Sequence, residues 1–232
     1  MTAFPDTRVS LVAALSSDDQ ATRARAVDLV VRAYRTPVIA VLQRQWSLDL
    51  ADAEDLAHDF FSHALEREWL GRYDAAKGRF RTFLRSILQA YASTAHESAN
   101  RLKRGGHLTA VSIDSTQLST DAGVDRLFEQ EWVRSVMTIA LERLRLQCEQ
   151  AGRDATYAVF LAHDVDGADA EPPLRYAEIA ARFDVPVTQV ANYLHWARTR
   201  FRGHIIDTLR ALTATEAEFR EEARALLGRD VT

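Results

Sequence analysis

Two His-Asp dipeptides, His58-Asp59 and His163-Asp164, are the residues in this chain most suited to metal chemistry. An imidazole beside a carboxylate can ligate a divalent cation that activates water, and Glu54 and His58 share a helix face at four-residue spacing. Nothing else in the sequence is suitably placed to complete such a site. No catalytic residue, metal or cofactor is therefore assigned, and the chain is not expected to be an enzyme. The lone Cys148 excludes a disulfide framework and a cysteine-based zinc site.

The charge pattern points to binding instead. From Asp49 to Asp74 eight acids (Asp49, Asp52, Glu54, Asp55, Asp59, Glu66, Glu68, Asp74) face two bases, Arg67 and Arg72. From Arg72 to Arg104 eight bases (Arg72, Lys77, Arg79, Arg81, Arg85, Arg101, Lys103, Arg104) face two acids, Asp74 and Glu97. The net charge of −4 hides this arrangement. An acidic block meeting a basic block suggests two partners of opposite charge, one of them a polyanion. Arg79, Arg81 and Arg85 can hold phosphates, and Tyr73, on a loop, offers a ring for an unstacked base. Phe83 and Tyr91 are expected in the core.

A third group lies near the carboxyl end. Tyr176 to Leu194 reads as a helix-turn-helix: Ile179 and Ala180 inward on the first helix, a turn at Phe183-Asp184-Val185, and Pro186 at the start of the second. With Val190 and Leu194 buried, Thr188, Gln189 and Asn192 are left on the exposed face, where amides can bond base edges. Arg198, Arg200 and Arg202 follow, suited to phosphates.

The elements that must position these residues are helical. Nine Gly and five Pro in 232 residues leave few breakers among 47% hydrophobic and 27% charged residues, which favours an all-α globular protein. Helical spacing runs through Val27, Val30, Val31, Tyr34, Val38, Val41 and Leu42, with Pro37 expected to kink the helix or start a new one. Asp52 is expected to cap a second helix presenting Leu56, Phe60, Ala64 and Leu65. A third runs from about Phe80 to Arg101. The Ser-, Thr-, Asp- and Gly-rich stretch that follows reads as a flexible linker. Four segments result: a helical domain 1–106, a linker 107–124, a helix-turn-helix domain 125–212 and an extra helix 213–232. No run of about 18 apolar residues suggests a membrane span, and MTAFPDTRVS lacks the parts of a signal peptide, so a cytoplasmic, nucleoid-associated location is expected.

In that order the motifs resemble a known family. Tyr-Ala-Glu-Ile-Ala, Val-Pro-Val-Thr-Gln-Val and Tyr-Leu-His-Trp-Ala-Arg are similar to the carboxyl-terminal DNA-reading domain of bacterial extracytoplasmic-function (ECF) sigma factors. Asp52-Ala-Glu-Asp-Leu-Ala-His-Asp-Phe-Phe resembles that family's core-polymerase-binding helix, and Phe80 to Arg104 its promoter-melting helix. The resemblance implies that Asp52, Glu54, Asp55 and Asp59 contact the clamp of core RNA polymerase around Leu56 and Phe60. It implies that Tyr73, Lys77, Arg79, Arg81 and Arg85 meet the opened minus-ten strand, with a flipped base held by the loop before the melting helix. Thr188, Gln189, Asn192, Arg198 and Arg200 would then read the minus-thirty-five duplex beside the polymerase flap. A regulatory protein, either an anti-sigma factor or a serine/threonine kinase, is implied as a further partner. Ala57 stands where a hydroxyl would suit a kinase; Ser47 and Ser62 are the nearest alternatives.

The chain departs from the family in lacking basic residues at Ala191, Tyr193 and Trp196, in carrying Phe83 where a Trp is common, in its fuller loop Arg72 to Arg79, and in the extra helix. These mark a divergent subgroup. A stand-alone helix-turn-helix regulator with an amino-terminal sensing domain explains the carboxyl half equally well but not the acidic-then-basic helix order. The His-Asp dipeptides resemble the metal-binding pair of HD-type phosphohydrolases, and there the likeness ends.

Overall fold

A computed structural model describes residues 11–102, 121–168, 171 and 174–228, and among these the chain is all-α, without a strand. Nine α-helices are present among the described residues: α1 (Leu11–Leu15), α2 (Gln20–Trp46), α3 (Leu50–Glu66), α4 (Phe80–Leu102), α5 (Ala122–Gln150), α6 (Asp154–Phe160), α7 (Tyr176–Phe183), α8 (Val187–Leu212) and α9 (Glu216–Leu227). None is long and apolar enough to cross a membrane. Lys103, Arg104 and residues 107–120 of the expected linker lie outside the described residues.

Local rules set the helix ends, with three departures from expectation. Asp19 caps α2 by accepting from the backbone N–H groups of Ala21 and Thr22, at 3.3 and 3.0 Å. α2 then continues without a break through Pro37 to Ser47, which closes it in the left-handed region at φ 54°. The missing Pro37 N–H costs one bond, and the run of buried side chains around it (Tyr34, Val38, Val41, Leu42) outweighs that loss. α3 is capped by Asp49, whose carboxylate accepts from the Asp52 N–H at 2.8 Å, and not by Asp52 itself. The expected linker also ends early, because residues 122–124 already belong to α5.

Two compact units emerge, one formed by 1–135 with 209–232 and the other by 136–208. The division falls inside α5 and inside α8, so it does not follow the expected segments 1–106, 125–212 and 213–232. The aromatic core of the first unit explains why. Tyr34, 1% exposed, meets Phe80 edge-on at 5.8 Å and stacks near Phe128 and Trp132 of α5 at 6.2 and 6.5 Å. Burying rings of this size stabilises by roughly 1.5–3 kcal/mol each, enough to draw the first turns of α5 into the amino-terminal core. Phe219 and Ala223 of α9 are buried in the same unit. α9 itself starts at Thr215, whose hydroxyl accepts from the Glu218 N–H at 3.1 Å, a pattern readable as Thr-x-x-Glu in the sequence.

The second unit packs α6, α7 and the adjoining parts of α5 and α8 around Leu144, Cys148, Val159, Phe160, Ile179, Val190 and Leu194. α6 passes into a π-helical turn, Leu161–Val165. Gly167 follows it closely: a Cβ there would sit 2.7 Å from the Ala162 carbonyl oxygen, so only glycine fits.

Candidate nucleic-acid interface

On α3 only Asp52 lies in the first turn, because the helix starts at Leu50. Complementing the macrodipole therefore accounts for Asp52 and leaves Asp55 and Asp59 to another cause. At spacings of three and four residues Asp52, Asp55 and Asp59 share one face, and all three are exposed. Glu54 lies off that stripe and is paired with Arg35 at 3.1 Å. Leu56 is half-buried, and Phe60 is fully buried against Phe61 and Tyr91, so Phe60 cannot serve as the centre of a contact surface.

The basic residues around the start of α4 are positioned differently from expectation. Tyr73 is buried, with its ring edge-on to Phe80 at 5.3 Å and its hydroxyl donating to the Gly78 carbonyl at 2.7 Å. Burial and the nearby Glu218 carboxylate push its phenol up to about 12. A ring so held cannot stack on a base, and Tyr73 is withdrawn from that role. Phe83, expected in the core, keeps part of its ring accessible. It lines a groove of about 270 Å³ together with Arg72, Lys77, Arg79 and Thr82. Tyr91 is buried as expected. Lys77 is 83% exposed, with Asp74 at 3.9 Å.

Arg79, Arg81 and Arg85 are each paired. The Arg79 guanidinium donates through Nε and Nη2 to one oxygen of Glu221, at 3.2 and 2.8 Å, and lies 3.5 Å from Glu222. Arg81, 8% exposed, reaches Glu129 at 2.5 Å and Glu222 at 3.1 Å, with its guanidinium 4.9 Å above the Trp132 ring. Arg85 pairs with Asp125. Burial pushes the Glu222 carboxyl up, against the opposing pull of Arg81 and Arg79. Glu218 accepts from the Phe80 N–H at 2.8 Å and from the Ala214 N–H at 2.8 Å, satisfying a donor at the start of α4.

In the second unit α7 and α8 are joined by a tight turn. Asp184 takes the left-handed conformation at φ 51°, which short polar side chains tolerate, and the Val185 N–H returns to the Ala180 carbonyl at 3.1 Å. The Pro186 carbonyl accepts the first α8 bond, from the Gln189 N–H at 2.8 Å. Val190, Leu194 and Ala197 are buried, while Thr188, Gln189 and Asn192 are exposed, as their spacing predicts. Arg198 is not free: its guanidinium forms two hydrogen bonds to Asp164, at 2.6 and 2.7 Å. His163 Nδ1 lies 2.6 Å from Asp164 Oδ1, the oxygen that also accepts from Arg198 Nη2. Burial raises the Asp164 carboxyl, but the bonds from Arg198 and His163 outweigh it and hold the group below the ordinary 3.8.

Sequence reasoning missed two features. Trp196, where a basic residue was missed, carries guanidinium groups near its ring: Arg153 at 4.8 Å and Arg200 at 5.7 Å. Both arginines are exposed; Arg200 is α8's own, and Arg153, just before α6, adds a charge that the α8 sequence lacks. The acids of α9 are the other omission, since nothing local ties them to residues about 140 positions earlier.

Among the described residues no group of three or more His, Cys, Asp or Glu side chains is placed to hold a metal ion. No family model, curated protein or solved structure matches the chain.

Proposed function

We propose that the chain is an ECF-type sigma factor, which brings core RNA polymerase to a subset of promoters and is not itself an enzyme. The observation that carries this reading is the α7–turn–α8 pair, whose second helix buries Val190 and Leu194 and leaves Thr188, Gln189 and Asn192 exposed at its amino end. A helix so presented fits the major groove, where Gln189 and Asn192, three residues apart, can each bond adenine bidentately. Arg200 and Arg153 then hold phosphates from the Trp196 platform. Arg198 acts instead as the tie to Asp164.

The exposed stripe Asp52, Asp55 and Asp59 on α3 supports a basic protein partner, here the polymerase clamp. Beside the start of α4, the groove lined by Phe83, Arg72 and Lys77 suits a flipped base flanked by phosphate, a role in which Phe83 replaces Tyr73. Single-strand capture of this kind selects an opened promoter without any covalent step. An anti-sigma factor or a kinase remains the proposed regulator, and the cytoplasm the proposed location.

Run-off transcription with core polymerase and genomic fragments tests the proposal. Discrete transcripts dependent on both proteins are expected. Sequence-specific duplex binding without any association with core would replace it by the stand-alone regulator.

A further inference from the structure

We propose that α9 is an intramolecular competitor for the polyanion face of α4, its carboxylates occupying the arginines that single-stranded nucleic acid would otherwise contact. The inference rests on the reading of α4 as a strand-binding helix. A carboxylate offers the guanidinium the same pair of oxygens as a phosphate does. Two glutamates of α9, Glu221 and Glu222, use this, and Glu218 anchors the helix beside them. Glu221 takes two donors of Arg79, Glu222 lies between Arg79 and Arg81 at 3.5 and 3.1 Å, and Glu218 covers the Phe80 N–H at 2.8 Å. Glu129 and Asp125 of α5 complete the cover on Arg81 and Arg85. The resulting groove of about 490 Å³ is lined by both signs of charge, arginines from α4 and acids from α5.

Stability alone does not account for this arrangement. Arg79 is 37% exposed and Glu221 58%, and a pair that stays wet adds little to folding. Glu222 is 2% exposed, and burying the Glu222–Arg81 pair costs the desolvation of both charges, so the pair adds no more to folding than an apolar pair of like volume would. As competitors the same acids have a use: they occupy the guanidinium groups, Arg79 at the surface and Arg81 beneath it, and so deny them to stray polyanions. Release is graded. Arg79 exchanges Glu221 for a phosphate by side-chain rotation, whereas Arg81 is reached only when α9 lifts and Glu222 goes with it.

The full chain tests this with a fluorescent twenty-residue oligothymidylate, measured by anisotropy across a salt series. Glu221→Gln with Glu222→Gln should tighten binding about tenfold and steepen the salt slope by about 0.7 per arginine released. Adding Arg79→Gln and Arg81→Gln to that background should return both quantities to the wild-type values. A folded glutamine variant with wild-type affinity and slope overturns the proposal. Should the variant fail to fold, hydrogen exchange on the wild type decides. Saturating oligonucleotide should speed exchange across Glu216–Leu227, and unchanged or slower exchange there overturns the proposal equally. Association with core polymerase is read in parallel: its absence counts against the sigma-factor reading, whereas its presence with no glutamine effect counts against the competitor alone.

Discussion

Glu218→Ala is expected to be the most damaging single polar change in the amino-terminal unit. The carboxylate is 8% exposed and accepts from two backbone donors, the Phe80 and Ala214 N–H groups, both at 2.8 Å. Alanine leaves the buried Phe80 N–H without an acceptor, which costs about 1–3 kcal/mol. The Ala214 N–H is part-buried and recovers water, so its bond accounts for a further 0.5–1.5 kcal/mol or about that. The Tyr73 hydroxyl, 3.4 Å from Glu218, keeps its shorter bond to Gly78 and adds little. The total is about 2–4 kcal/mol, which for a unit of this size lowers Tm by roughly 5–15 °C. Glu218→Gln keeps one acceptor oxygen and turns an amide toward the other donor, so about half of that loss is expected. Thermal unfolding followed by circular dichroism reads all three proteins. An alanine variant melting within about 1 °C of wild type would refute the assignment of Glu218 as the acceptor on which the start of α4 depends.

Asp59→Arg should weaken co-elution with core polymerase while leaving the melting curve unchanged, because the carboxylate is exposed; wild-type co-elution would remove α3 from the interface. Gln189→Ala and Asn192→Ala should each lose about 1–3 kcal/mol at one base pair in promoter binding, whereas Arg153→Ala and Arg200→Ala should weaken all sequences alike and lower the duplex salt slope by about one unit per contact, both read in binding titrations. Asp164→Asn should remove stability in a pH-dependent way. The native carboxyl titrates below its ordinary 3.8, so its contribution is fully present above that value and fades as pH falls through the lower native one; wild type and variant should differ in urea midpoint at neutral pH and converge as the medium is acidified below that ordinary value, and a constant difference would show that the Arg198 tie does not depend on that charge.

How much of this was legible in the sequence follows from the range of each interaction. Val190, Leu194, Gln189 and Asn192 sorted themselves correctly because a helix face is set by neighbours three and four residues away, and the Asp184 turn by chemistry within a few residues. The same locality rendered α9 visible as an element, through Thr215 and Glu218 and the apolar pair Phe219 and Ala223. It gave no hint of what α9 touches. By residue type Glu218 and Glu222 read as solvent-facing acids, although Glu222 shares the stripe of Phe219, Ala223 and Leu226; both are buried, because Phe80 and Arg81, some 140 positions earlier, supply the donors. Arg198 was misread for the same reason: Asp164, 34 residues away, claims it. Tyr73 was misread because a Gly-bounded loop suggests exposure, whereas its ring fills a gap beside Phe80. Phe83 apart, which is more accessible than expected, the errors share a direction. Arg79, Arg81, Arg85, Arg198 and the Tyr73 hydroxyl, taken as free for a partner outside the molecule, each have one inside it, and formal charge along a sequence overstates what a folded surface offers to nucleic acid. Among the described residues, cations still accessible beside the proposed nucleic-acid sites include Arg72 and Lys77 before α4, the latter 3.9 Å from Asp74, and Arg153 and Arg200 beside the Trp196 ring. Arg79, Arg81, Arg85 and Arg198 add to these only where the protein first gives up a pair.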